Sequence, residues 1–242
     1  MAAAVSDSRM TALAHLSELR RRVIISAIAI TVAAIVCFIF SNTIIRFFVD
    51  YYRNATHGQK HALIFLGPLD AFVTRIKVAT YGGIVLALPV WLWETWRFIT
   101  PGLHAREKRY AVPFILSSIA LFALGAAVAL LTLTQALDFL LTIGGSSLRP
   151  ELTADKYLSL VGLMIIAFGA SFQFPVVLMF LLLARVLTTQ QLRRWRRPAI
   201  VVIVTFAALI TPSQDPYSLF FMAVPMYIFY ESSILLGRIL QR

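Results

Sequence analysis

The chain has 242 residues, of which 60% are hydrophobic and 14% charged, yet its formal net charge is +11. Its mean hydropathy of +0.82 exceeds what a soluble core of this length can absorb, because soluble domains are about 45–50% apolar and surface is lost only slowly with size. A basic balance of this kind can mark a nucleic-acid binder, but here the Lys and Arg residues form short clusters between apolar runs, the distribution of a membrane protein, so no nucleic acid is expected. The lone Cys37 excludes an internal disulfide framework and a Cys-rich metal site.

In chain order, apolar stretches fall at 23–41, 78–97, 111–134, 158–184, 198–211 and 217–236. The first four meet the ~20 residues needed to cross a ~30 Å hydrocarbon layer. The last two flank a compact turn, TPSQDP at 211–216, rich in helix breakers. They read as a short hairpin that need not cross a bilayer of full thickness, with local thinning as the response. Arg20, Arg21 and Arg22 before the first run superficially resemble a leader, but no small-residue cleavage site follows, and an uncleaved span is expected. Alternate connecting segments hold most of the Lys and Arg residues, among them Arg20–Arg22, Arg106, Lys108, Arg109 and Arg193–Arg197. These segments read as cytoplasmic. The expectation is one integral membrane domain over 1–242, an all-α polytopic bundle of six spans, with both termini in the cytoplasm. Trp91, Trp93 and Trp96 then fall at the cytoplasmic end of the second span, as an aromatic belt does. Segment 42–52 has helical apolar spacing and reads as lying along the interface. Segment 71–77 reads as an extension of the second helix.

Chemistry-bearing patterns are sparse. No glycine-rich phosphate loop, no His or Cys cluster with ligand spacing and no Ser/His or paired-Asp arrangement is present, so neither an enzyme nor a cofactor is expected. Polar groups inside apolar runs carry the functional interest, because placing them there is costly. Glu94 lies in the second run and is either a functional carboxylate or one that reaches the headgroups. Gln173 lies in the fourth and is either functional or a helix–helix hydrogen bond. Pro175 should kink that helix and free backbone carbonyls. Glu18 and Glu107 are acids isolated among Arg and Lys residues. Charge balance explains them most simply; the alternative is two sites that each take a guanidinium bidentately.

Several stretches in order resemble the TatC family, the receptor of the twin-arginine protein translocase: HLSELRRR at 15–22, GPLDAF at 67–72, PVWLWETWRFITPGL at 89–103 with EKR at 107–109, FGASFQFP at 168–175, and TPSQDPYS at 211–218. The resemblance implies a glove-shaped bundle with a concave face and two short final helices. It implies a plasma-membrane receptor that binds signal peptides with consecutive arginines through Glu18 and Glu107, supported by Arg20, Phe98 and Arg109. It places Glu94, Gln173 and Thr211 on the concave face toward partners, and Pro68, Asp70, Phe72 and Asp215 as structural residues on the outer side. It implies TatA-type and TatB-type single-span partners, self-association in the complex and use of the transmembrane proton gradient. Where the family commonly has Gln in the second span this chain has Glu94, and where it commonly has Glu in the fourth this chain has Gln173. The two are expected to face one cavity that needs a single carboxylate. The final outer turn carries one extra residue, and Leu219 stands where Gln is frequent. A small-solute secondary transporter is the rival reading; it calls for repeated halves and a midplane site, and no repeat is visible.

Overall fold

The computed structural model describes residues 12–55, 63–99, 111–143, 145 and 152–240. The described residues form ten helices, joined at one point by an isolated parallel bridge between Ile64 and Thr153. Four helical segments, His15–Ile39, Val112–Thr142, Ala154–Leu183 and Pro216–Arg238, are long and apolar enough to cross a membrane, and a bent pair raises the number to five. Every backbone group inside lipid must be paired internally, which is why such a composition resolves into helices.

The first span is α1 (Ala12–Ile39), followed by α2 (Ser41–Ala55). α1 is strongly exposed along Ile28, Val32 and Ile35, the surface a lipid-facing helix presents. α2 lies where the apolar spacing of 42–52 placed a helix, but it is more than an interfacial ribbon. Tyr52 is 1% exposed and meets the Tyr157 ring at 4.9 Å. Tyr51 donates to the Leu130 carbonyl at 2.5 Å, and Tyr157 donates to that of Phe48 at 2.8 Å.

The second apolar run is not one straight helix. α3 (Asp70–Leu86) and α4 (Leu88–Ile99) meet at a 52° bend. Pro89 lacks the N–H that would bond the carbonyl one turn back, and its ring crowds that turn. The chain tightens at Ala87, where Val90 bonds back to Ala87. The indole of Trp91 donates to the Ile84 carbonyl at 3.1 Å, so a side chain serves an acceptor at the bend. α3 starts at Asp70, in line with an extension through 71–77. α1 and α3 approach closely: a Cβ on Gly83 would lie 2.7 Å from the Ala34 backbone, the small-residue contact typical of membrane helix pairs.

α5 (Ala111–Thr142) extends past the apolar stretch read at 111–134. It packs on α6 (Ala154–Ser171), where Gly125 lies against the Phe168 carbonyl. α6 opens on Thr153, whose hydroxyl accepts from the Lys156 N–H at 3.3 Å. The fourth run breaks where Pro175 dictates: α6 ends at Ser171 and α7 (Phe174–Leu183) begins after Gln173. α8 (Thr189–Arg194) carries a capping box between Thr188 and Gln191. α9 (Arg196–Ile210) has 15 residues, or about 22 Å of helix, short of a full crossing. α10 (Pro216–Leu240) is longer as a helix, 25 residues. Its part beyond Tyr230 runs beside α8 and α9: Tyr230 donates to the Leu192 carbonyl at 2.6 Å, and Arg196 reaches Glu231 at 2.5 Å. Apolar residues continue past Tyr230, with Ile234 buried in the core and Leu235 and Leu236 exposed. The main core is built around Tyr157, Phe168, Phe172, Met222, Met226 and Ile234 from α6, α10 and the turn after α6.

Candidate functional site

Both ends of the bundle carry built polar structure. At one end the loop before α3 is held by Asp70, whose carboxylate accepts from the N–H groups of Leu66 at 2.9 Å and Gly67 at 2.8 Å. Pro68 lies inside this loop, and Phe72 is exposed on the first turn of α3. Lys77 spans from α3 to Asp155 on α6 at 2.8 and 2.9 Å. At this same end Asp215 is 1% exposed and accepts from the Ser218 N–H at 2.8 Å, capping α10, with Pro216 in the first helical position as propensity favours. Thr211 closes α9: it is buried, donates to the Ala207 carbonyl at 2.7 Å and lies 3.7 Å from the Met222 sulfur.

At the opposite end α1 and α4 come together. Helical spacing puts Glu18 and Arg22 on one face of α1, four residues apart. One guanidinium nitrogen of Arg22 donates to Glu18 at 3.1 Å, and the other donates to Glu94 on α4 at 2.7 Å. The side chain of Glu94 is 8% exposed, that of Arg22 15% and that of Glu18 23%. Burial thus deepens from Glu18 through Arg22 to Glu94. Two carboxylates share one guanidinium, so the trio retains one negative charge at an end of the molecule otherwise rich in arginine. Glu94 is not an isolated buried acid: α1 supplies its counter-charge.

Beside the trio lies a cavity of about 400 Å³ lined by Leu19, Val23, Ala27, Ile30, Trp91 and Phe98, with Arg22 and Glu94 at its polar edge. Phe98 also stacks on His15, with ring centroids 4.4 Å apart. Arg20 is exposed and, two residues from Glu18, points away from the face that carries the acid. Glu107 and Arg109 lie outside the described residues.

Gln173 is placed elsewhere. Its amide donates to the Ser118 carbonyl on α5 at 2.9 Å and lies 3.5 Å from the Gly169 carbonyl. The backbone N–H of Gln173 bonds Ala170 instead of Gly169, so the side chain reaches toward the acceptor that the helix break left without its usual donor. The described polar partners differ: Glu94 on α4 bonds Arg22 of α1, and Gln173, in the turn between α6 and α7, bonds the Ser118 carbonyl of α5. Arg22 itself was not singled out in the sequence. Its four-residue offset from Glu18 was the available signal; its pairing with Glu94 spans 72 positions. Among the described residues no group of His, Cys, Asp and Glu is arranged to hold a metal ion.

Comparison with known proteins matches residues 14–225 to the family described as "Sec-independent protein translocase protein (TatC)". A protein of that name from Frankia casuarinae is 41% identical over 96% of this chain and 67% of its own length. One from Aquifex aeolicus is 38% identical over 94% of this chain and 95% of its own length. Among solved structures, the crystal structure of a twin arginine translocase receptor, TatC, aligns with a TM-score of 0.77 at 35% identity, covering 94% of this chain and 100% of that one. A crystal structure of TatC in DDM gives 0.76 at 37% identity, over 92% and 99%.

Proposed function

The chain belongs to the TatC family of Sec-independent protein translocase proteins, and from that premise we propose that it is the translocase receptor for signal peptides bearing consecutive arginines. The observation that carries this reading is Glu18: an acid at the edge of a basic end of the bundle, part of a trio with one unbalanced negative charge, and the most exposed member of that trio. A guanidinium offers a planar fork that matches a carboxylate, and charge-assisted bonds of this kind are roughly twice as strong as neutral ones. The Arg-rich end is the cytoplasmic one by the distribution of Lys and Arg, which puts both termini in the cytoplasm of a plasma-membrane protein. Cargo would present its arginines to Glu18 and Glu107. Arg20 and Arg109 repel misplaced basic peptides, and Phe98 lines the apolar cavity that Arg22 and Glu94 edge.

After capture, the apolar part of the signal would enter between the helices, and single-span TatA-type and TatB-type partners would assemble on this subunit, which self-associates in the complex. Glu94, Gln173 and Thr211 are the intramembrane polar residues in that reading. The transmembrane proton gradient supplies the energy. Photo-crosslinking of a twin-arginine precursor to the receptor in membranes tests the proposal. Glu18→Ala and Glu107→Ala are each expected to reduce the crosslinked product by about tenfold or more, the scale of a lost charge-assisted pair. Undiminished crosslinking in both variants refutes it.

A further inference from the structure

We infer that Arg22 is a built-in competitor for the guanidinium site on Glu18, and that Glu94 is the second anchor that takes Arg22 over when a ligand arrives. This rests on the reading of Glu18 as a signal-peptide contact. Arg22 holds the position an incoming arginine needs: a guanidinium nitrogen 3.1 Å from the carboxylate. Its bond to Glu18 is the longer and more exposed of its two; its bond to Glu94, at 2.7 Å, is shorter and deeper. The Arg22 fork is not fully used. Its Nε is buried without a hydrogen-bond partner, and it engages a single oxygen of Glu94, Oε2. Losing Glu18 to a ligand therefore does not strand the Arg22 charge. The guanidinium can turn to grip both Glu94 oxygens, the bidentate geometry arginine favours, with the neighbouring cavity of about 400 Å³ offering room for the side chain to shift.

The arrangement does two things. It keeps Glu18 from standing as an uncompensated acid in the free receptor. It also sets a threshold: a ligand displaces Arg22 only if it offers Glu18 a better donor set than a single Nη. A forked guanidinium meets that condition and a lysine ammonium meets it less well. Because Glu94 sits on α4, beyond the bend at Ala87, the hand-over strengthens a tie between α1 and α4 that already exists.

The test is the affinity of a fluorescent synthetic twin-arginine signal peptide for the full-length protein in lipid nanodiscs, by anisotropy. Arg22→Lys keeps the charge but loses the longer, planar fork whose separate nitrogens span the two carboxylates; it is expected to stay with the deeper Glu94 and to release Glu18. The double variant Arg22→Gln/Glu94→Gln removes the competitor while keeping a neutral hydrogen-bonding pair. Both are expected to bind the peptide about three- to fivefold more tightly than the unaltered protein, the scale of a partly exposed ion pair. Glu94→Gln alone leaves Arg22 with Glu18 as its one full counter-charge and is expected to bind about three- to fivefold more weakly. A residue serving only to hold the fold would not give tighter binding when removed. Equal or weaker binding by both Arg22 variants, or Glu94→Gln binding as the unaltered protein does, overturns the inference. Glu18→Gln separates this from the larger reading: if it weakens binding while the Arg22 variants do not strengthen it, only the competitor fails, and if it has no effect, the assignment of Glu18 fails too.

Discussion

Two aspartates away from the end that holds Glu18, Arg22 and Glu94 do structural work of the same kind: each carboxylate collects backbone N–H groups that no helix can satisfy. Asp70 takes two, from Leu66 and Gly67. Replacing it with Ala is expected to cost about 1–3 kcal/mol, because a charge-assisted acceptor is lost and two donors are orphaned. Asp70→Glu, which keeps the charge on a longer stem, should lose less. Thermal denaturation of the detergent-solubilised protein measures both; an unchanged midpoint for Asp70→Ala would show that the loop is held by other means. Asp215 caps α10 from a fully buried position, and Asp215→Ala should cost about 1–2 kcal/mol, as lost N-caps do. The roles of Pro68, Asp70, Phe72 and Asp215 as outer-side residues came from resemblance in the sequence; the hydrogen bonds show which backbone groups the two aspartates hold, without fixing the side of the membrane. Glu18 was legible as an acid among arginines. Its partner Arg22 carried one mark, the four-residue offset from Glu18, whereas its tie to Glu94 spans 72 positions and left none.

At the scale of elements, what was local in the chain could be read and what was distant could not. The break at Gln173 follows from Pro175, and the helix at 42–52 from the spacing of Ile44, Ile45, Phe47, Phe48 and Tyr51. The bend between α3 and α4 was missed, although Pro89 causes it by the same mechanism, because the run from 78 to 97 is apolar on both sides of the proline and hydropathy alone reads it as continuous. The docking of α2 was also hidden: Tyr157 and Phe48 are 109 positions apart. Close helix contacts yield a sharp expectation here. A Cβ at Gly125 would lie 2.7 Å from the Phe168 carbonyl oxygen, and rigid backbone cannot yield as a side-chain tip can. Gly125→Ala should therefore destabilise the α5–α6 pair by about 1–3 kcal/mol, measured as a lower midpoint in detergent. Gly82→Ala, which meets only the Cys37 side chain at 3.0 Å, should lose less. Equal losses would mean that α5 and α6 part easily.

For the molecule as a whole, hydropathy and the placement of Lys and Arg delivered the class, an all-helical multi-pass membrane protein, because lipid leaves so few alternatives. They did not deliver the uneven lengths of the helices, since α5 continues beyond its apolar core and α10 continues beside α8. The sidedness proposed from charge is testable through the single native cysteine. In a Cys37→Ser background, cysteines introduced at exposed Asn54 and Gln214 should react with an impermeant maleimide added outside intact spheroplasts, and one at exposed Arg197 should react only after permeabilisation. The reverse pattern would invert the molecule and remove Glu18 from the side where cargo arrives.

Calorimetric titration of the reconstituted receptor with paired signal peptides that differ only in twin arginine against twin lysine reads the recognition step with least intervening machinery. The twin-arginine peptide is expected to bind about tenfold or more tightly, with that difference collapsing in Glu18→Gln, because a carboxylate that meets a planar fork discriminates where a neutral amide does not. Equal affinity for the two peptides, or an arginine preference that survives Glu18→Gln intact, would contradict the carboxylate–guanidinium grip on which the receptor reading stands.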